Sequence, residues 1–222
     1  MEIYGYLLTD KFLRDIIKNR CSATSVFYKE GCKMPRSFMF KKEDIIGAAV
    51  EIVRKSGISA LTARQLANAL GSSSKPIFGL FENMQEVKRA VIEEANEVYL
   101  SYLKAEAENK KYPPYKSSGM GYIRFARNEP ELFKLLFMRD RTDEAKEQTS
   151  EEIKPIISLI CKNLNLSEEK AYLFHIEMWV YVHGIASMIA TKYLDWDEDF
   201  VSLALTDMYE GLKFRYKGEE TV

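Results

Sequence analysis

The run Ser72-Ser73-Ser74-Lys75 lies between two short helical patterns and carries groups suited to binding nucleic acid. Serine hydroxyls can bond to phosphate oxygens or base edges, and a lysine ammonium offers charge to phosphate or to guanine. Pro76 comes next, where the first turn of a helix tolerates it. Thr62 and Arg64 open the preceding helical pattern and are expected to contact phosphate.

Two short helices joined by a sharp turn are needed to bring these side chains to one surface. Thr62 is a good N-cap residue, and Gln65 three positions later completes a T-x-x-Q capping box. Gly71 supplies the backbone freedom that a tight turn needs. Ser72 or Ser73 is expected to cap the following helix, which runs through Phe78.

An earlier helix is predicted from Lys41 to Ser56, ending at Gly57. The three helices together predict a helix-turn-helix unit, whose second helix lies in the major groove of DNA. Without further information, an ordinary helical hairpin explains the same pattern. The expected DNA-binding residues are Lys41, Thr62, Arg64, Gln65, Ser72, Ser73, Ser74, Lys75, Pro76 and Phe78.

Two stretches carry a resemblance to a known family. Residues 45–92 resemble the N-terminal domain of TetR family repressors, with Ala49, Gly57, Leu61, Thr62, Leu66, Ala67, Leu70, Gly71 and Phe81 in the family's order. Residues 128–138 (NEPELFKLLFM) and 179–186 (WVYVHGIA) resemble TetR C-terminal domains marked by a Trp-x-x-x-His-Gly pattern. The resemblance implies an all-α fold, in which a three-helix DNA-binding unit precedes a larger helical ligand-binding and dimerisation domain.

Two residues depart from the family pattern. Phe78 stands where the family usually has a tyrosine that bonds phosphate, and Met84 stands where a lysine is usual. Each change removes a salt-dependent contact, so affinity is modest unless Lys75, Lys88, Lys41 and Lys42 compensate. The alternative function is therefore a TetR-like dimeric ligand-binding protein with weak or lost DNA binding.

Charge and length suggest the domain organisation. Residues 34–83, the expected DNA-binding domain, carry seven Lys/Arg against four Asp/Glu, whereas residues 84–222, the expected ligand-binding and dimerisation domain, carry nineteen against twenty-five. A basic end on an acidic body fits phosphate binding at that end. Residues 1–33 are expected to be a translated leader or an extra helix, because Lys29-Glu30-Gly31 can be encoded by a purine-rich ribosome-binding sequence two codons before Met34.

The C-terminal body is predicted to be a helical bundle that begins with a long helix capped by Asn83. By resemblance it holds an unidentified small-molecule effector, and its aromatic side chains could line an apolar pocket. For His183, a hydrogen bond to a neighbouring helix is favoured over ligand contact. The candidate pocket residues are Tyr122, Phe125, Phe133, Phe137, Met178, Trp179 and His183.

The last two helices are expected to form a homodimer interface, by resemblance and from their apolar residues Ile185, Met188, Ile189, Leu203, Leu205 and Leu212. A dimer would present paired recognition helices to a palindromic operator in double-stranded DNA. The expected function is a ligand-responsive transcriptional regulator, most often a repressor in this family.

Other classes of protein lack supporting motifs. Cys21, Cys32 and Cys161 have no metal-ligand spacing, and a reducing cytoplasm is the natural setting for an odd number of cysteines. The apolar window Met178–Ile189 is shorter than a membrane span requires and is predicted to be a buried helix. No nucleophile elbow, phosphate loop or metal cluster predicts an enzyme or a cofactor.

Overall fold

The computed structural model describes residues 40–140 and 150–218. Throughout these ranges the regular structure is helical and contains no strand, so the predicted all-α fold is confirmed. The predicted leader lies outside the described residues. Most of the segment from Arg139 to Ser150, which its charged residues predict to be a loop, lies outside them as well. The described helices are α1 (Lys42–Ser56), α2 (Ala63–Ala69), α3 (Lys75–Leu80), α4 (Met84–Asn109), α5 (Pro114–Asn128), α6 (Pro130–Phe137), α7 (Ser150–Leu164), α8 (Glu168–Ala190) and α9 (Glu198–Gly218).

Side-chain caps fix the starts of three helices. The Thr62 hydroxyl accepts the backbone N–H of Gln65 at 3.2 Å, at the start of α2. The Asn83 side chain accepts two backbone N–H groups at the start of α4, at 2.9 and 3.0 Å. Ser167 accepts the N–H of Lys170 at 3.3 Å, at the start of α8. Each cap satisfies a donor that would otherwise lack a partner, and the N-caps predicted at Thr62 and Asn83 are confirmed.

The turn between α2 and α3 is built around Gly71, whose φ is 61°. The Gly71 N–H donates to the Asn68 carbonyl and the Ser72 N–H donates to the Ala67 carbonyl, both at 3.0 Å. These two bonds form a Schellman motif, which favours glycine because the left-handed conformation strains other residues. The prediction that Ser72 or Ser73 caps α3 was wrong: the cap position is Ser74, without a side-chain bond.

A continuous apolar core joins the first three helices to the body. Ile45, Leu66 and Ile77, one from each of α1, α2 and α3, are fully buried in the same cluster as Val91 of α4 and Phe133 of α6. Burial of such side chains contributes about 1.5–3 kcal/mol each. The short helices α2 and α3 therefore owe their stability to packing more than to their own length.

The central contact of the body is between α4 and α5. A Cβ at Gly121 of α5 would lie 3.2 Å from the Leu103 Cα of α4, so only a glycine allows this close approach without a shift. On its other side α5 packs against α8. This places α5 between the helix that leads from the N-terminal unit and the helices at the C-terminal end.

The apolar helix α8 contains the window Met178–Ile189 and extends beyond it at its N-terminal end. With 23 residues and a mean hydropathy of 1.3 in one window, it is long and apolar enough to cross a membrane by length and composition alone. The buried core helix of a soluble protein meets the same criteria. Phe174 and Ala186 of α8 are fully buried in the body, which supports the predicted core role.

Four of the six residues predicted at the dimer interface belong instead to the core of one chain. Met188 and Leu203 are exposed, but the other four are buried against neighbouring helices. Helical periodicity identifies an apolar face without specifying whether the same chain or a second copy covers it. The buried four are Ile185, Ile189, Leu205 and Leu212.

Candidate DNA-binding surface and aromatic site

The helix-turn-helix unit exposes most of the side chains predicted to bind DNA. They lie before α1, at the start of α2, in the turn, and on α3. Side chains in these positions are free to meet a partner without rearrangement of the core. Exposed are Lys41, Thr62, Arg64, Gln65, Ser73, Lys75 and Phe78, and partly buried are Ser72, Ser74 and Pro76.

Arg64 and Lys75 carry the charge of this surface. Both are exposed, and neither forms a hydrogen bond or ion pair with any residue in the described ranges 40–140 and 150–218. By contrast, the Lys42 ammonium bonds to Glu86 at 3.1 Å and lies 4.9 Å from the centre of the Phe81 ring. Arg64 and Lys75 can therefore engage an anion without breaking an internal contact, whereas Lys42 cannot.

The two departures from the family pattern have different surroundings. Met84 is partly buried against the core at the start of α4, where its thioether helps to hold that helix. Phe78 is 46% exposed on α3, although Ile77 beside it is fully buried. Neither side chain can donate a hydrogen bond to phosphate.

The aromatic side chains predicted to line a pocket pack against one another in the body. The ring centres of Tyr122 and Phe137 lie 4.9 Å apart, and those of Phe133 and Phe137 lie 5.3 Å apart. Phe125 joins this cluster through Phe133, with ring centres 6.4 Å apart. These four predicted residues therefore come together in one cluster of packed rings.

Tyr99 of α4 belongs to the same cluster and was missed from the sequence. Its ring centre lies 5.2 Å from that of Phe137 and 5.4 Å from that of Phe125. Burial raises the pKa of the Tyr99 hydroxyl. The spacing of Tyr99 could have identified it, because Tyr99 follows the buried Ala95 by four residues and so lies on the same side of α4.

Two tyrosine–histidine hydrogen bonds join α5 to α8. The Tyr122 hydroxyl lies 2.8 Å from His183 Nδ1, and the Tyr115 hydroxyl lies 3.1 Å from His175 Nδ1. Burial lowers the pKa of both histidines, which favours neutral rings. The Nδ1 atom of a neutral ring can accept a hydrogen bond from the tyrosine hydroxyl. The structure thus gives His183 the interhelical hydrogen bond that the sequence favoured.

Trp179 and Met178 have different surroundings, although they are adjacent in the sequence. The half-exposed Trp179 ring stacks on His183, with centres 5.2 Å apart and planes 13° apart. Met178 is buried in a second apolar cluster that includes Phe174 of α8 and Leu212 of α9. The structure therefore does not bring Met178 to the other candidate pocket residues.

A sequence model of the family described as tetracyclin repressor-like, C-terminal domain, matches residues 116–208. This range contains the aromatic cluster of α5 and α6 and the Trp179-x-x-x-His183-Gly184 pattern of α8. The matched part of the chain is therefore a TetR-like C-terminal domain, which supports assignment to the TetR family. No curated protein matches it at a significant level.

Solved structures support the TetR fold. A TetR family protein from Vibrio parahaemolyticus superposes with a TM-score of 0.54 at 16% identity, covering 77% of this chain and 97% of that one. A protein of unknown function from Rhodococcus sp. RHA1 gives a TM-score of 0.55 at 18% identity, covering 83% of this chain and 99% of that one. At these identities the likeness concerns the fold alone.

The N-terminal helices and the body differ in the side chains that they present. Among the described residues, Arg64 and Lys75 of the helix-turn-helix have no internal partner, whereas the body holds a cluster of aromatic rings that includes the hydrogen-bonded pair Tyr122 and His183. In the described ranges, no group of three or more His, Cys, Asp or Glu could hold a metal ion.

Proposed function

We propose that the protein is a cytoplasmic, ligand-responsive transcriptional regulator that binds a palindromic operator as a homodimer and acts as a repressor. Residues 34–83 are the DNA-binding domain, and residues 84–222 bind the effector and the second copy. The observation that carries the proposal is the exposure of Arg64 and Lys75, without internal partners among the described residues, on a helix-turn-helix.

DNA binding follows from where the cations lie. In a helix-turn-helix the second helix enters the major groove, so Lys75 at the first position of α3 would meet base edges or phosphate. Arg64, in the first turn of α2, would meet the backbone beside the groove. Each neutralised phosphate releases condensed counterions, which makes the affinity depend on salt.

Dimerisation is supported by an apolar surface on α8 and α9. Val180 is 60% exposed and Leu203 is 59% exposed, and monomeric proteins rarely leave so many large apolar groups together at the surface. A second copy that covers this surface would set two recognition helices about 34 Å apart, the repeat of the major groove. The other exposed apolar residues of these two helices are Tyr172, Leu173, Trp179, Met188, Phe200 and Phe214.

Two helical glycines fit the same interface. A Cβ built on Gly184 of α8 or Gly211 of α9 would meet no atom within 4 Å, so packing inside the described chain does not require either glycine. A glycine in a helix costs about 0.5–1 kcal/mol relative to alanine. Close approach by a helix of the second copy would account for that cost.

The effector is proposed to bind among the aromatic rings beside Tyr122, Phe133 and His183. Because the rings are packed, an effector would have to separate them and shift α5 or α6. Such a ligand favours a conformation in which the two DNA-binding domains have a different separation. The conformation that binds the operator then loses population.

Equilibrium titration of the full chain against DNA from upstream of its own gene tests the proposal. Fluorescence anisotropy should show saturable binding that prefers this DNA over a scrambled duplex. Arg64→Ala and Lys75→Ala should each weaken it, and Lys162→Ala, which removes an exposed lysine of α7, should not. Equal and weak binding to both duplexes, followed by failure to select any sequence from a random library, would contradict it.

A second function is favoured by Phe78 and Met84, which cannot donate hydrogen bonds to phosphate. In that case the protein is a TetR-like dimeric ligand-binding protein with weak or lost DNA binding. Binding without sequence preference that is insensitive to the Arg64 and Lys75 substitutions would favour this second function.

A further inference from the structure

Phe78 is an exposed aromatic ring on a surface that is otherwise polar. Its neighbour Ile77 is fully buried and Phe81 is 3% exposed, so α3 already has the apolar contacts that hold it in place. In residues 40–140 and 150–218, the large exposed apolar side chains otherwise lie on α8, on α9 and in the segment between them, with Met138 as the exception. Phe78 is therefore isolated from the proposed dimer interface.

The phenyl ring of Phe78 limits what it can recognise. It has no hydrogen-bond donor or acceptor, so it can contact neither phosphate oxygens nor the polar edges of bases by hydrogen bonding. The apolar group that the major groove displays is the 5-methyl group of thymine. A phenyl ring that covers this methyl group removes apolar surface from water, which favours binding.

Lys75 and Phe78 are three residues apart on α3 and so face the same side of the helix. Lys75 is exposed and unpaired among the described residues, so a cation and an apolar ring project together from the helix expected in the groove. The cation fits phosphate or guanine, and the ring fits a neighbouring thymine. This pairing of groups matches a major groove better than it matches a protein or lipid surface, because one exposed apolar ring shares its short helix with a lysine and follows a run of three serines.

We propose that Phe78 is a specificity-determining residue that reads the 5-methyl group of one thymine in each operator half-site. The assignment rests on the proposed DNA-binding function. In this role Phe78 makes a base contact that discriminates thymine from the other bases. A phosphate contact at the same position would carry no sequence information.

The test uses the full chain and a duplex that the wild-type protein selects from a random library. Each thymine of the selected half-site is replaced in turn by uracil, which lacks only the methyl group. The wild-type protein should lose about fourfold in affinity at one position. Phe78→Ala should bind the thymine and uracil duplexes equally, whereas Phe78→Leu, which keeps an apolar group, should retain part of the difference.

The outcomes separate this proposal from the proposed function. If the wild-type protein selects no sequence, DNA recognition fails and the assignment of Phe78 fails with it. If it selects a sequence but Phe78→Ala keeps the full sensitivity to uracil, only the assignment is overturned. Met138→Ala, a similarly exposed apolar residue in the body, should leave the thymine preference unchanged, and thermal melting should confirm that all variants fold.

Discussion

Arg54 of α1 donates a hydrogen bond from Nε to Glu129 Oε2 at 2.9 Å, joining residues 75 positions apart. Glu129 lies between α5 and α6, so this contact ties the DNA-binding unit to the aromatic body. A second carboxylate, Glu51, accepts from Arg54 Nη1 at 2.7 Å but lies on α1 itself. The long-range pair is the one that can transmit a shift of α5 or α6 to the DNA-binding unit.

Glu129→Gln should lower the free energy of unfolding by about 1 kcal/mol, because it removes one charge from a partly buried, hydrogen-bonded ion pair. The Glu129 side chain is 16% exposed, whereas that of Glu51 is 53% exposed. Glu51→Gln is therefore the matched control, with an expected loss of less than about 0.5 kcal/mol. Urea unfolding measures both, and equal losses would contradict a special role for the long-range pair.

The unfolding free energy should fall below neutral pH because of His175 and His183. Burial lowers the pKa of both rings from the usual value of 6.5, so the unfolded chain binds more protons than the folded chain as the pH falls. The histidine contribution is therefore complete above the unfolded pKa and is lost toward the lower folded pKa. Urea unfolding between pH 8 and pH 5 checks this direction, and a midpoint that rises on acidification would contradict it.

Tyr122→Phe should raise the pKa of His183 while leaving that of His175 unchanged. The Tyr122 hydroxyl bonds the neutral ring of His183 at 2.8 Å, and a protonated Nδ1 could not accept that bond. Tyr115→Phe should raise the pKa of His175 and leave that of His183 unchanged, because Tyr115 bonds His175. Since the chain has two histidines, their NMR titrations can be assigned by substitution, and parallel shifts of both in one variant would argue against separate pairs.

Val180→Lys and Leu203→Lys should convert the proposed dimer to monomer without unfolding the chain, because both side chains are exposed in a single copy. Each places a charge in an apolar interface, where desolvation is costly. Met138→Lys, at an exposed apolar position in the body that is 44% exposed, is the control and should leave the assembly unchanged. Sedimentation velocity distinguishes the states, and dimers that persist in both variants would place the interface elsewhere.

Local sequence signals predicted the helix starts well. Thr62 and Asn83 were identified because a capping side chain bonds donors only two or three residues away. The cap of α3 was misplaced because the Schellman motif at Gly71 uses the backbone of Ser72 first, which delays the next helix to Lys75. A preference for serine at a cap cannot reveal such competition.

Contacts between distant helices were harder to predict. The sequence grouped Tyr122, Phe133 and Phe137 with Met178 as candidate pocket residues. The structure packs the three rings together but buries Met178 in a separate cluster. The salt bridge from Arg54 to Glu129 had no signal, because charged residues on two helices pair only when the packing of those helices brings them together. Which apolar face meets a second copy is likewise a property of the assembled fold.

The most direct test of the central claim is the salt dependence of DNA binding by the wild-type protein, Arg64→Ala and Lys162→Ala. A phosphate contact contributes about 0.9 to the slope of log affinity against log salt concentration. We expect a steep wild-type slope that Arg64→Ala reduces by about one such contact, while Lys162→Ala leaves it unchanged. A wild-type affinity that does not respond to salt, or equal slopes for all three proteins, would contradict phosphate binding by the helix-turn-helix surface.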